Sequence, residues 1–327
     1  MTLPKYFRTL LIGAASLVVA TILVFAGIIV FGASSPPEPL QEAASPFEEI
    51  DYRNLPPLRK LLVRDGTALA YRVYDGNKDK AVVMLHGAAG SSFMLHELAL
   101  KAQAAGFTVY VPDLRGHGAS GGDGDIAYNG QLQNDVADLA RFVHVAQPGA
   151  RTWLLGHSAG GCLALRFAGG TYGKLFDHYV LLSPMLSRDA PTVRAGVGGF
   201  VKPFRGRYIA LTILDRIGFH RLEGLPVLAF AVSRTSQNKL TPTYSYRLSE
   251  NFTQDENYLA DFRRVERSIT VMVGANDEFF YAERFPPLIH GVREDIPVEI
   301  VPDVDHVGIV LNPGAANQVI AELDSAL

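Results

Sequence analysis

The chain has 327 residues, 48% of them apolar, and sets 30 Lys and Arg against 33 Asp and Glu for a net charge of -3. That balance excludes nucleic acid as an expected partner, because no basic surplus exists to meet phosphate. A single cysteine, Cys162, excludes an internal disulfide, and no Cys/His cluster has zinc-like spacing, so neither a metal nor a cofactor is expected. Cys162 is read as a buried structural thiol.

From Leu10 to Phe31 the sequence LLIGAASLVVATILVFAGIIVF carries no charge, and as a helix it would span roughly 33 Å, enough to cross a bilayer core. It exceeds the apolar core of about 7–15 residues usual in a cleavable signal, which favours an uncleaved transmembrane anchor over residues 1–33. No cysteine follows it to make a lipoprotein signal. Lys5 and Arg8 precede the span, whereas Glu38, Glu42, Glu48, Glu49 and Asp51 follow it before Arg53. The positive-inside tendency then leaves the N-terminus in the cytoplasm and the rest of the chain on the periplasmic or extracellular side. Pro36, Pro37, Pro39, Pro46, Pro56 and Pro57 mark residues 34–57 as an extended linker.

Leu58 to Tyr74 reads as a hairpin turning at Asp65-Gly66. Ala81 to Leu85 is an unbroken apolar run, as suits a parallel strand buried on both faces. It leads into His86-Gly87-Ala88-Ala89-Gly90 and a helix that Ser91 or Ser92 can cap. Thr108 to Val111 is a second such strand, ending in Asp113-Leu114-Arg115-Gly116-His117-Gly118. A helix over Gln131 to Val145 aligns Leu132, Val136, Leu139 and Val143 on one stripe, with Asp135 and Asp138 off it.

Thr152 to Leu155 is a short apolar run, followed by Gly156-His157-Ser158-Ala159-Gly160 and a small-residue helix to Ala168. G-x-S-x-G alone recurs by accident in a glycine-rich chain. Here it falls between strand and helix, where the glycines permit a turn that lifts a serine hydroxyl above the sheet end. Ser158 is a candidate nucleophile, and such a serine needs a base, an acid to orient the base, and N–H donors for an oxyanion.

His178 to Leu182 is a further strand. From about 185 to 267 the alternation fails over a length too great for a plain loop, which reads as an inserted cap. Between Ser187 and Arg221 it gathers Arg188, Arg194, Lys202, Arg205, Arg207, Arg216 and Arg221 among apolar residues. That face either meets anionic lipid, with Arg205 and Arg207 as the test positions, or is a solubilised lid surface. Ile269 to Val273 is a strand ending near Asp277, Tyr281 to His290 is helical, and Val298 to Val301 is a strand leading to Asp303-Val304-Asp305-His306. Asn312-Pro313 opens a terminal helix. The alternation implies a mostly parallel sheet with helices on both faces.

The ordered set His86-Gly87, Asp113 to Gly118, Gly156 to Gly160, Asp277 and Asp305-His306 resembles the α/β-hydrolase superfamily over residues 58–327, and within it the monoacylglycerol lipase, lysophospholipase and serine aminopeptidase-like branch. The resemblance implies an α/β-hydrolase fold with a Ser158, Asp277, His306 triad in that chain order. His306 would be the base and Asp277 its orienting acid, ahead of Asp303 and Asp305, because a residue adjacent to His306 is poorly placed to reach its ring. The backbone N–H groups of Ala88 and Ala159 would form the oxyanion hole. His86 is expected as a hydrogen-bonded turn residue, His157 as a packed elbow side chain and His117 as a loop residue. Phe279 and Phe280 line an acyl pocket or pack in the core. The expected activity is cleavage of lipid-like or small carboxylic esters through an acyl-enzyme. Alternatives on the same triad are an aminopeptidase or amidase and a thioesterase, and a non-catalytic tethered binding protein is a further one. Serine at the elbow departs from the haloalkane dehalogenase and epoxide hydrolase branches, which place an aspartate there.

Overall fold

The apolar runs become the inner strands of one large sheet. The computed structural model describes residues 4–33, 37–38, 51–195, 199–232, 240–253 and 258–325, so most of the expected linker lies outside the described residues. The chain opens with helix α1, Lys5–Phe31. Among the described residues it is the one helix long and apolar enough to cross a membrane, with a mean hydropathy of 2.7 over an 18-residue window. The expected hairpin follows as β1, Arg59–Leu62, and β2, Ala68–Tyr74, paired antiparallel.

Next come β3 (Asn77–Leu85), α2 (His96–Ala104), β4 (Phe107–Pro112), α3 (Gln131–Ala146), β5 (Arg151–His157), α4 (Ala159–Ala168) and β6 (His178–Leu182). The body resumes with β10 (Ser268–Gly274), α8 (Phe285–His290), β11 (Val298–Val301), α9 (Gly308–Leu311) and α10 (Pro313–Ser325). Strand order across the eight-stranded sheet is β1-β2-β4-β3-β5-β6-β10-β11. From β4 to β11 the pairings are all parallel. Residues 81–85 of β3 are each at most 1% exposed, which is why that strand carries no polar alternation. Helices cover both faces: Leu132, Val136, Leu163 and Phe167 pack on one, and Leu98, Ala102, Val319 and Leu323 on the other.

Between β6 and β10 the chain leaves this sheet. It builds β7 (Val201–Pro203), α5 (Arg205–Arg216), β8 (Pro226–Phe230), β9 (Thr243–Ser245), α6 (Tyr246–Thr253) and α7 (Tyr258–Arg264). The three strands form a separate antiparallel sheet in the order β7-β8-β9. Beneath it β6 pairs directly with β10.

Two sequence expectations are corrected. Neither Ser91 nor Ser92 caps α2: a turn of 3-10 helix, Ser92–Leu95, comes first, and the Ser92 N–H donates to Asp113 Oδ1 at 2.7 Å. A buried carboxylate is a stronger acceptor than a serine hydroxyl. Asp135, off the apolar stripe of α3, is also buried, because the Arg115 guanidinium binds it through Nε at 2.7 Å and Nη2 at 2.8 Å. Arg207 does not face outward for lipid: it is buried, with Nε 2.7 Å from the Ile29 carbonyl and Nη2 2.9 Å from that of Val30. Helical periodicity registers a charge but not the partner that lets it go inside.

Candidate active site

In a parallel sheet all strands point the same way, so the loops leaving their carboxyl ends gather on one rim. β3 and β5 are in register at Leu85 and Gly156, which sets His86 and Gly87 beside His157 and Ser158. Ser158 sits at φ 55°, ψ -118°, the sharp conformation of a strand passing straight into a helix. Its N–H donates to the Leu182 carbonyl at 2.9 Å. The flanking glycines are there for close approach. A Cβ at Gly156 would stand 2.2 Å from the Gly160 carbonyl oxygen, and one at Gly160 would stand 2.4 Å from that of Leu85. Cys162 lies one turn into α4 with its Sγ 2.6 Å from the Phe252 carbonyl, and burial pushes its thiol up to about 12. It is an unreactive packing residue.

β10 and β11 bring the other two members of the expected triad together. Asp277, fully buried in the loop after β10, places Oδ2 2.9 Å from His306 Nδ1. Its Oδ1 accepts from the N–H groups of Phe279 and Phe280, both at 2.9 Å. Burial alone would raise this carboxyl, but the charge of His306 and the hydrogen bonds from it and from the Phe280 N–H outweigh burial and hold it below its ordinary value. The Phe279 and Phe280 rings pack against the imidazole at 4.7 and 5.2 Å between centroids. Both phenylalanines therefore fix the pair rather than standing apart from it. Asp303 and Asp305 do not reach the ring; Asp305 Oδ1 instead accepts from the Gly308 N–H at 2.5 Å.

Among the described residues no hydrogen bond runs from the Ser158 hydroxyl to His306. The elbow and the base loop are joined through His157, whose Nε2–H donates to the His306 carbonyl at 2.9 Å, with the two rings 4.8 Å apart. His306 Nε2 has no protein partner among the described residues, since Nδ1 is the nitrogen occupied by Asp277.

Ala88 is half-buried at the rim, and among the described residues neither its N–H nor that of Ala159 has an acceptor. Ala159 opens α4, where a helix leaves its first N–H groups unpaired. Gly87 lies over the elbow, where a Cβ would be 3.2 Å from Ser158 Cβ. His86 secures this turn: the Leu114 N–H donates to Nε2 at 3.1 Å, so Nδ1–H donates to the Gly87 carbonyl at 2.8 Å.

A residue that sequence reasoning missed completes the turn from above. Tyr244, on β9, accepts from the Ala89 N–H at 2.7 Å and gives its own hydrogen to His117 Nε2 at 2.5 Å. His117 Nδ1–H in turn reaches the Arg115 carbonyl at 3.1 Å. No local pattern marks Tyr244, because its partners belong to two loops far away in the chain. In Tyr244→Phe the Ala89 amide loses its acceptor, which should lower stability by about 1–3 kcal/mol. If the turn positions the Ala88 N–H, kcat should fall on the order of tenfold with KM little changed. An unchanged kcat in a less stable variant would leave Tyr244 a structural residue only.

Three histidines near the rim are held neutral by the fold. Burial lowers His157 and His117 from an ordinary 6.5 to about 3, and lowers His86 as well. Between 6.5 and about 3 the unfolded chain binds protons that the folded chain refuses, so stability is intact above 6.5 and is lost as pH falls through that window. The expected slope is on the order of 1 kcal/mol per pH unit for each histidine. Urea midpoints at pH 7 and pH 5 measure it, and equal midpoints would show these groups titrating normally.

Comparison with known proteins places the chain in a family. A family model described as serine aminopeptidase, S33 (Hydrolase_4) matches residues 76–265, which takes in Ala88, Ser158 and Ala159 and stops short of Asp277 and His306. The chain is 32% identical over 127 residues to a monoacylglycerol lipase of Mycolicibacterium smegmatis, covering 37% of this chain and 44% of that one. It is 31% identical over 144 residues to the human monoglyceride lipase, covering 42% and 46%. The chain thus spans less than half the length of these curated relatives. A solved structure of a soluble variant of the Saccharomyces cerevisiae monoglyceride lipase, in complex with a substrate analogue, superposes with a TM-score of 0.63 at 15% identity, over 85% of this chain and 96% of that one. The architecture is the α/β-hydrolase fold.

Proposed function

The chain belongs to the serine aminopeptidase S33 family of α/β-hydrolases, and from that premise we propose that it is a membrane-anchored serine hydrolase cleaving carboxylic esters of lipid-like or small alcohols. In this reading residues 1–33 are the anchor, 34–57 a tether and 58–327 the hydrolase domain, with its cap at about 185–267. The catalytic domain lies on the non-cytoplasmic side. Ser158 Oγ attacks the ester carbonyl while His306 Nε2 takes its proton. Asp277 stabilises the imidazolium, and the amides of Ala88 and Ala159 bind the oxyanion. Collapse returns the proton to the leaving alcohol and leaves an acyl-serine, which water cleaves by the same steps with His306 again as base.

The observation that carries this reading is the buried Asp277–His306 hydrogen bond at 2.9 Å, which leaves Nε2 as the open ring nitrogen, and the elbow geometry of Ser158 supports it. The serine–imidazole hydrogen bond of such sites often tightens only when substrate binds. The preference for esters is supported by the lipase names of the two relatives. The family name supports a second reading, hydrolysis of aminoacyl amides on the same triad. Fluorophosphonate labelling followed by a panel of p-nitrophenyl esters, monoacylglycerols, lysophospholipids and aminoacyl amides tests both. Labelling with ester turnover is expected. Turnover confined to the amides would transfer the site to the second reading, and well-folded protein that takes no label would be a tethered binding protein.

A further inference from the structure

Among the described residues the N-terminal helix meets the rest of the molecule at one place. Of α1 only Ile29 is buried, and residues 5–24 stand clear of the domain, with Leu10, Ile22, Leu23 and Val24 all strongly exposed. A bare apolar helix of that length is unstable in water, so the surrounding medium in the reading above is hydrocarbon. The contact is made by its last turn, against the cap helix α5. Arg207 donates from Nε and Nη2 to the carbonyls of Ile29 and Val30, and from Nη1 to that of Pro226 at 3.1 Å. Those helix-end carbonyls have no intrahelical donor, and unmet backbone groups are expensive at a membrane boundary. Gly206 lets the helices close: a Cβ there would lie 3.3 Å from Ile28 Cγ2.

The outward face of α5 is also unusual. Where a solvent-facing helix ordinarily carries polar residues it presents Ile209, Ile213 and Ile217, which are 60, 47 and 73% exposed, and Phe219 follows just beyond the helix. The isoleucines recur every four residues and so form one ridge. Exposed Arg205 and Arg216 stand toward its two ends. An apolar ridge bordered by arginine is the pattern of a helix lying in the plane of a bilayer surface. Because Arg207 grips the turn where α1 ends, this ridge sits at the level where the span leaves the hydrocarbon.

We propose that α1 and α5 form a single membrane-binding unit, in which Arg207 fastens the exit turn of the span to the cap and the Ile209, Ile213, Ile217 ridge rests in the headgroup region of the same bilayer. This rests on α1 being an anchor. The occupant of the ridge is lipid, and the cap over the rim that carries Ser158 is thereby held against the membrane.

The full chain is reconstituted in phosphatidylcholine–phosphatidylglycerol vesicles with shallow-brominated acyl chains. Quenching of Ile213→Trp is compared with that of Val145→Trp, an exposed position on α3, and with the unsubstituted chain, whose Trp153 is buried. The expected result is at least a twofold loss of emission for Ile213→Trp and none for Val145→Trp. Equal quenching at the two positions in protein that floats with the vesicles overturns the proposal and leaves the anchor reading standing. Protein that fails to float overturns both. Adding Arg207→Met to Ile213→Trp should at least halve the quenching while flotation persists, and unchanged quenching would remove Arg207 from the unit.

Discussion

Ser158→Ala is expected to abolish fluorophosphonate labelling and to lower kcat for ester hydrolysis by roughly 10⁴- to 10⁶-fold. In the proposed mechanism the substitution removes the atom that would bond to substrate and leaves the amides of Ala88 and Ala159 and the binding surface, which alone would sustain a small residual rate. The fold should be indifferent: the Ser158 hydroxyl makes no capping hydrogen bond to α4, and alanine meets the same backbone angles with the same Cβ. Thermal stability is therefore expected to stay within about 1 kcal/mol of the parent. Intact-protein mass spectrometry after probe treatment is the direct measurement. A covalent adduct persisting in the alanine variant would place the nucleophile elsewhere and remove Ser158 from the mechanism.

Asp277→Asn should come close to this in its effect on rate, at about 10⁴-fold, for a different reason. The carboxylate has its two oxygens committed to different tasks, Oδ1 to the amides of Phe279 and Phe280 and Oδ2 to the His306 ring. An asparagine keeps its carbonyl oxygen where those two amides donate, which turns its NH₂ toward His306. Nδ1 must then accept rather than donate, and the proton moves to Nε2, the nitrogen that has to receive hydrogen from Ser158. The imidazole is thus held in the tautomer that cannot act as base. KM should change little, and activity should recover partly at high pH, where hydroxide removes the need for a protein base. A variant with near-parental kcat at pH 7 would count decisively against Asp277 as the orienting acid.

The parts of the fold legible in the sequence were those whose cause is local. β6 and β11 begin and end where the apolar pattern does, and Asn312 caps the terminal helix through its Oδ1, 2.8 Å from the Gly314 amide. The turn at Gly66, with φ 79°, follows from its Asp-Gly dipeptide. The rim residues were legible because each sits just after an apolar run, and a parallel sheet brings such positions together without further instruction. What stayed hidden depends on partners distant in sequence. Asp135 is buried because of Arg115, and Arg207 because of α1. Inside residues 185–267 the small sheet runs through Val201–Pro203 and Thr243–Ser245, strands of three residues that no periodicity can register.

The hydrogen bonds of Tyr244 limit how this chain can be rebuilt. Its phenol lies between the Ala89 amide and His117, and the neighbouring Thr241 N–H closes on the Ala89 carbonyl at 2.9 Å. Transplanting a lid from a cousin, a usual route to altered selectivity, would strip the Ala89 N–H and carbonyl of their partners unless the donor lid brought equivalents to the same spots. In chimeras of this chain the exchanged segment should therefore end before residue 241 or begin after residue 245, so that this short stretch stays with the scaffold it braces.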